Sequence, residues 1–300
     1  MRPRSYLGDG PLGTVELGGT KTLAAFGREL DDIKTPLLVD TGDPETTLEA
    51  IGDYLDSGHV TALGVASFGP VELRPGHERF GHITRTPKRA WASTDIVGFF
   101  ETRLGVPIRF DTDVNAAALG EWKWGAARGL RHSVYVTVGT GIGGGLVIDG
   151  HPLHGTSHPE MGHTIVMPHP DDPYAGHCPY HGACLEGMAS GPAIEDRFGR
   201  AATALNHAES EEALRLVAFY LGQGLRNIVY TVAPDRIIIG GGVSHLPGFH
   251  SAVSTELAEQ LAGYPGLPEH VSGDFVVAPG LGGLSGLAGG LILAEHAGNR

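Results

Sequence analysis

The chain has 300 residues, 41% of them hydrophobic, with a mean hydropathy of −0.03 and a formal net charge of −13. That length exceeds what one core usually serves, so two domains are expected. The acidic balance argues against nucleic acid or an anionic membrane as partner, since both select a basic surface through counterion release.

Taken in chain order, the opening "MRPRSYLGDGPLG" has no apolar core after its arginines and does not read as a secretory signal. "LGTVELGGTKTLAAF", residues 12–26, reads as strand, glycine turn, strand, and "TALGVASFGPVEL" as a buried strand entering a loop. "TDIVGFFETRLG" has helical spacing, with Thr94 as its expected cap. "PIRFDTDVNAAALGEWKWGAA" is a strand, an acidic turn and a helix, and "SVYVTVGTGIGGGLVIDG" repeats the strand, glycine turn, strand pattern.

Residues 151–192 hold both cysteines and lack hydrophobic periodicity, so a loop-rich insert ordered by a metal rather than by core burial is expected. Residues 209–231 read as an amphipathic helix, "DRIIIGGGVS" as a buried strand ending in glycines, "FHSAVSTELAEQL" as a helix and "FVVAPG" as the last strand. "GLGGLSGLAGGLILA" is too short and too glycine-rich to span a bilayer and reads as a buried turn plus helix. Two cysteines without secretory context point to a reducing compartment.

The glycine turns invite two readings. Gly139, Gly141 and Gly144 satisfy G-x-G-x-x-G, but a strand rather than a helix follows, which excludes the dinucleotide fold. "GGTKT" lacks the G-K-[ST] core of a Walker loop. Each turn is then either an ordinary hairpin or a phosphate-binding one, where glycine permits positive φ and close approach of backbone N–H groups. The similarity of the two hairpins suggests two related α/β halves.

"FDTDVNAAALGEW" places Asp111, Asp113 and Asn115 at the end of a buried strand. Asp113 there either takes a proton from an attacking hydroxyl or caps the following helix. Cys178, His181 and Cys184 follow C-x2-H-x2-C, a tetrahedral zinc pattern needing a fourth ligand from His163, His169 or His177. His177 adjoins Cys178, so the two reach one ion poorly. Filled coordination would make the zinc structural. Glu160 and Glu186 flank the loop as hydroxyl acceptors or as solvated carboxylates.

"ELGGTKT", "DTDVNAAALGEWKWGAARG", "YVTVGTGIGGGLV", "HGTSHPEMGH", "HCPYHGACLEGMASGPAI" and "IIIGGGVS" occur in the order seen in ROK-family sugar kinases, and the chain resembles the fructokinase branch over residues 12–295. The resemblance implies an actin-like ATPase (ribonuclease H-like) fold. It implies a small domain 1–115 on which a terminal helix 285–300 packs back, and a large domain 116–284 carrying a zinc loop 151–192, closing on a cleft.

The resemblance also implies roles. Asp113 is similar to the family's catalytic base, and Thr112, Glu160, His163 and Glu186 fall where it binds sugar. Gly18, Gly19, Thr20, Lys21, Gly139, Thr140 and Gly141 fall on its phosphate hairpins, with Gly240, Gly241 and Gly242 near its adenosine site. His163, Cys178, His181 and Cys184 fall on its zinc site. The implied activity is phosphorylation of a hexose, D-fructose at its 6-hydroxyl, by ATP with Mg²⁺, in a cytoplasmic homodimer without nucleic-acid or membrane partners. A broad glucokinase or mannokinase type and a non-catalytic sugar sensor are the alternatives.

The chain departs from the family in having Glu16 where many members have Asp, and His181 in a zinc loop that is usually Cys-rich. Thr112, "SFGPVEL" and "ITRTPKRAW" are similar to the fructokinase branch.

Overall fold

A computed structural model of the chain describes residues 9–297. These form two compact units, the first holding residues up to 125 with 150–158 and 283 onward, the second holding 126–149 and 159–282.

In the first unit, β1 (Leu12–Leu17), β2 (Lys21–Gly27), β3 (Leu37–Asp40), β4 (Ala62–Ser67) and β5 (Ile108–Thr112) make one sheet in the order β3-β2-β1-β4-β5. β1 and β2 form the expected hairpin, while β1, β4 and β5 run parallel. The parallel register aligns Leu17, Ser67 and Thr112 in one row, so three chain segments leave the sheet together at its carboxyl edge.

α1 (Pro44–Ser57) begins at Asp43, whose carboxylate accepts from the Thr46 N–H, with proline at the tolerated first position. α2 (Ile96–Leu104) is capped by Asp95, which accepts from the Gly98 N–H, rather than by Thr94. The carboxylate at position 95 is the one spaced three residues before a free N–H of the first turn. Trp91, Phe100, Ile51 and Leu55 are buried in the core that these helices form with the sheet.

α3 (Asp113–Lys123) runs without a break through position 115/116, expected as a domain boundary. β8 (His151–Pro152) lies against α3. The terminal helix, α8 (Ser285–His296), counts with the first unit, and residues 298–300 of its expected span lie outside the described residues. Its small residues have a packing reason. A Cβ on Gly289 would lie 1.7 Å from the Ala116 carbonyl oxygen, and one on Gly64 1.9 Å from that of Gly290. α8 therefore sits backbone to backbone on α3 and β4, and Thr14 Oγ1 donates to the Leu287 carbonyl at 2.8 Å.

In the second unit, β6 (His132–Val138), β7 (Ile142–Ile148), β9 (Arg236–Gly240) and β10 (Val276–Val277) run in the order β10-β9-β6-β7. β6 and β7 are a hairpin, and β9 and β10 lie parallel beyond β6. This is the connectivity of β2-β1-β4-β5 over again, which accounts for the two similar glycine hairpins. The strand β7 after Gly141 confirms that no dinucleotide-binding helix follows.

α6 (His207–Val232) opens with a reciprocal capping box between Asn206 and Glu209. It packs with α7 (Phe249–Leu261) around Tyr220, Leu221, Phe249, Val253 and Leu257. The metal insert is not wholly loop. α4 (Leu185–Ala189) and α5 (Gly191–Phe198) begin within it, and Val166, Leu185, Met188 and Ala189 join the second unit's core. Core burial and a buried ion pair, Asp172–Arg197 at 2.7 Å, thus order much of a segment expected to depend on metal. Among the described residues, no helix is long and apolar enough to cross a membrane.

Candidate functional site

The first unit gathers its candidate residues on the carboxyl edge of β1, β4 and β5, where open α/β sheets present ligands. Gly18–Gly19–Thr20 turns between β1 and β2, and Asp113 follows directly on β5. The two readings of the acidic turn resolve locally. The cap of α3 is Thr112, whose hydroxyl oxygen accepts from the Asn115 N–H at 3.1 Å. Asp113 Oδ1 accepts the adjacent Val114 N–H, at 2.9 Å.

Asp113 keeps some solvent access but is densely surrounded by protein. That desolvation pushes its carboxyl up to about 6 against two backbone hydrogen bonds that pull it down. Glu16 is pushed up to about 8, first by burial and then by the charge of Asp113. Glu16 Oε2 is inaccessible and without a hydrogen-bond partner. The helix above makes room for this longer acid: a Cβ on Gly286 would lie 2.2 Å from the Glu16 carboxyl carbon.

Sequence reasoning missed what holds this turn. Asp111 is buried; its Oδ1 accepts from the Thr112 N–H at 2.8 Å and from Asn115 Nδ2 at 2.7 Å, and its Oδ2 lies 3.0 Å from His154 Nε2. The hydrogen bond to Asp111 holds the His154 imidazolium above the ordinary histidine pKa. The segment 150–158 thus braces the peptide that precedes Asp113. No local pattern could have shown a partner 43 residues away.

The second unit repeats the carboxyl-edge arrangement. Thr137 of β6 pairs in register with Gly240 of β9, so Gly139–Thr140–Gly141 and Gly241–Gly242 emerge side by side. A Cβ on Gly139 would lie 3.8 Å from the Gly242 N. Of the two properties expected of the hairpin glycines, positive φ is not used: none of Gly18, Gly19, Gly139 and Gly141 has it, while Gly241 does, at 90°. Close approach is what requires Gly18 and Gly141. A Cβ on Gly18 would lie 2.7 Å from the Lys21 carbonyl oxygen, and one on Gly141 2.6 Å from Glu186 Oε2. Glu186 also accepts from the Ile142 N–H at 2.9 Å, so this carboxylate supports the Gly139–Gly141 turn. Glu160 is exposed and precedes a single helical turn, Met161–His163.

The structure brings His163, Cys178, His181 and Cys184 together, all four ligand atoms lying within 4.8 Å of one another. Cys178 Sγ is 3.7 Å from Nδ1 of both His163 and His181, and Cys184 Sγ is 3.6 Å from His163 Nδ1. Tetrahedral zinc bonds of about 2.3 Å to sulfur and about 2.0 Å to nitrogen give a sulfur–nitrogen separation of about 3.5 Å. Burial pushes the Cys184 thiol up, so its thiolate needs a cation beside it. Donor set and spacing both fit Zn²⁺. His163 and His181 face the cluster through Nδ1, leaving Nε2 of each directed elsewhere. His169 is engaged instead with Arg215, and His177 with Asp196.

Among proteins of known description, the chain is 44% identical to a fructokinase of Zymomonas mobilis, covering 96% of this chain and 97% of that one. It is 40% identical to a putative fructokinase of Bacillus subtilis, covering 95% and 96%. Among solved structures, it matches a ROK family glucokinase from Streptomyces griseus in complex with glucose and AMPPNP, with a TM-score of 0.77 at 26% identity over 96% of this chain and all of the other. Both units are α/β, and the architecture is that of the actin-like ATPases. With residues 12–297 matching that family, the hairpins, the acidic turn and the Cys/His cluster have one common explanation: the chain belongs to the ROK family.

Proposed function

We propose that this protein transfers the γ-phosphoryl group of ATP to a hexose, converting D-fructose to fructose 6-phosphate. The observation that carries the reaction type is Asp113, a carboxyl at the carboxyl edge of a parallel sheet, raised to about 6 and free of the capping duty that Thr112 performs. Near neutral pH it is an ionised base with enough proton affinity to accept the hydroxyl proton as that oxygen bonds to phosphorus and ADP departs. The fructokinase relatives, 37–44% identical over most of the chain, support fructose as the acceptor.

In this reading the turns Gly18–Lys21 and Gly139–Gly141 donate N–H groups to phosphate oxygens, those of Gly18 and Gly139 being bonded instead to the Lys21 and Gly141 carbonyls, and Gly240–Gly242 line the adenosine site. Thr112, Glu160, His163 and Glu186 hold the sugar hydroxyls. Mg²⁺ travels with the triphosphate and neutralises its charge; Glu16, neutral and enclosed in the free protein, would have to ionise beside the cation to serve as its hard oxygen donor. His163, Cys178, His181 and Cys184 hold zinc with every position filled, which is a structural role. Reduced cysteines fit the cytoplasm. A homodimer completes the proposal, with Ile165 and Met167, both strongly exposed, as interface candidates.

The test is ADP release with Mg²⁺, ATP and a panel of hexoses. Fructose should exceed glucose and mannose by about tenfold or more in kcat/KM, a difference of about 1.4 kcal/mol. Similar values for all three would make the protein a broad hexokinase, and no ADP release with any sugar would make it a binder.

A further inference from the structure

The segment "TPKRAW", residues 86–91, joins the loop after β4 to α2. In the structure Trp91 is fully buried, donates from Nε1 to the Gly42 carbonyl at 2.9 Å and packs edge-on to Phe68. This anchor delivers Lys88 to the β1–β2 turn, 69 residues away in sequence. Lys88 Nζ donates to the Gly19 carbonyl and to the Thr41 carbonyl, each at 2.5 Å.

The neighbouring carbonyls of the turn are tied in the same manner. Thr41 Oγ1 donates to the Gly18 carbonyl at 2.8 Å, with its own oxygen paired to Thr22 Oγ1, and the Thr41 N–H donates to the Thr20 carbonyl at 2.8 Å. Three consecutive carbonyls, of Gly18, Gly19 and Thr20, are therefore held by Lys88 and Thr41. A trans peptide points its N–H opposite its C=O. Holding the carbonyls of Gly18 and Gly19 thus fixes the direction of the Gly19 and Thr20 N–H groups, away from Lys88. A row of N–H groups turned outward while the carbonyls are held back is an anion-binding concavity.

We infer that Lys88 is a positioning residue for phosphate binding: it holds back the Gly19 carbonyl and so aims the hairpin's N–H groups at the terminal phosphates of the nucleotide. The assignment rests on the proposed reading of Gly18–Lys21 as a phosphate hairpin. Two further observations support it. The ammonium has no carboxylate within ion-pair distance among the described residues, so its positive charge is uncompensated beside the turn. Its desolvation, which lowers the lysine pKa, is the cost of keeping it there. Preorganised donors of this kind need no rearrangement when the phosphate arrives.

The test compares ADP with adenosine by isothermal titration calorimetry, using wild type, Lys88→Met and Lys88→Arg. Lys88→Met should weaken ADP about tenfold or more, or about 1.4 kcal/mol, while adenosine stays within about twofold. KM for ATP should rise and KM for the sugar should not. Lys88→Arg, which keeps a cationic donor, should restore most of the ADP affinity. Unchanged ADP binding in Lys88→Met, or equal loss of ADP and adenosine, overturns the inference. If Lys88→Met does not fold, the isosteric Thr41→Val, which releases the Gly18 carbonyl, must show the same ADP-specific loss or the inference fails. Wild-type protein that does not bind ADP would instead defeat the phosphate-hairpin reading itself.

Discussion

Glu16 on β1 and Asp113 just after β5 are acids at one sheet, with β4 between their strands, and the charge on Asp113 adds to the burial that keeps Glu16 protonated until about pH 8. At neutral pH the pair therefore carries one negative charge, on Asp113, which is the charge the proposed chemistry uses.

Asp113→Asn tests both activity and stability. Turnover should fall by about 10²–10⁴, the usual contribution of a positioned general base, while fructose binding measured by calorimetry persists. The folded carboxyl is raised from 3.8 to about 6, so the folded state holds the proton more tightly than the unfolded one. That contribution is complete below about pH 4 and is lost as pH rises through about 6. The ionised side chain then costs the fold up to about 3 kcal/mol, less where solvent screens it. The amide variant should accordingly melt higher than wild type at pH 7.5. Undiminished turnover would remove Asp113 from the reaction.

The same group sets the acid limb of the pH profile. The base must be ionised, so kcat/KM for the sugar should decline about tenfold per unit as pH drops below about 6. A limb near pH 4, the value of an ordinary aspartate, would mean that the burial of Asp113 does not govern the rate.

Protein purified without chelator should contain about one zinc per chain, and Cys184→Ser should lose it. Removing the metal should raise hydrogen exchange across residues 176–184 and weaken sugar binding. Exchange around Asp172 should change little, because Arg197 and Tyr220 hold that carboxylate independently of the cluster. Uniform loss of protection from 159 to 192 would show that metal orders the entire insert.

The Asp172–Arg197 pair supplies a separate test. Its side chains are 3% and 9% exposed, and Arg197 Nη1 also donates to the Met188 and Ala193 carbonyls. Arg197→Met leaves a buried carboxylate unpaired and should cost about 3–5 kcal/mol by denaturant unfolding. The double variant Arg197→Met with Asp172→Leu should recover much of the loss.

What the sequence disclosed was local. The hairpins, α7 and the Cys/His spacing could be read because turn glycines, helical periodicity and ligand spacing act over a few residues. The cap of α2 was misplaced by one position because Thr94 and Asp95 both suit it, and only backbone geometry decides between them. The glycines at 18 and 141 stand out in the sequence, but close approach to Lys21 and Glu186, rather than positive φ, is what requires them. Contacts across long separations left no local signature: His154 on Asp111, Arg197 on Asp172, and Lys88 on Gly19. Each joins an ordinary-looking polar residue to a segment that only the fold brings near.

The seating of α8 bears on how the polypeptide matures. β1, β4 and α3 are synthesised long before α8, the helix that completes their packing. Until α8 is made, β1, β4 and α3 must wait with an apolar flank uncovered, a hazard for a growing chain. A truncation ahead of α8 would strand them in that state, so a lesion near position 285 should damage packing around positions 12–123.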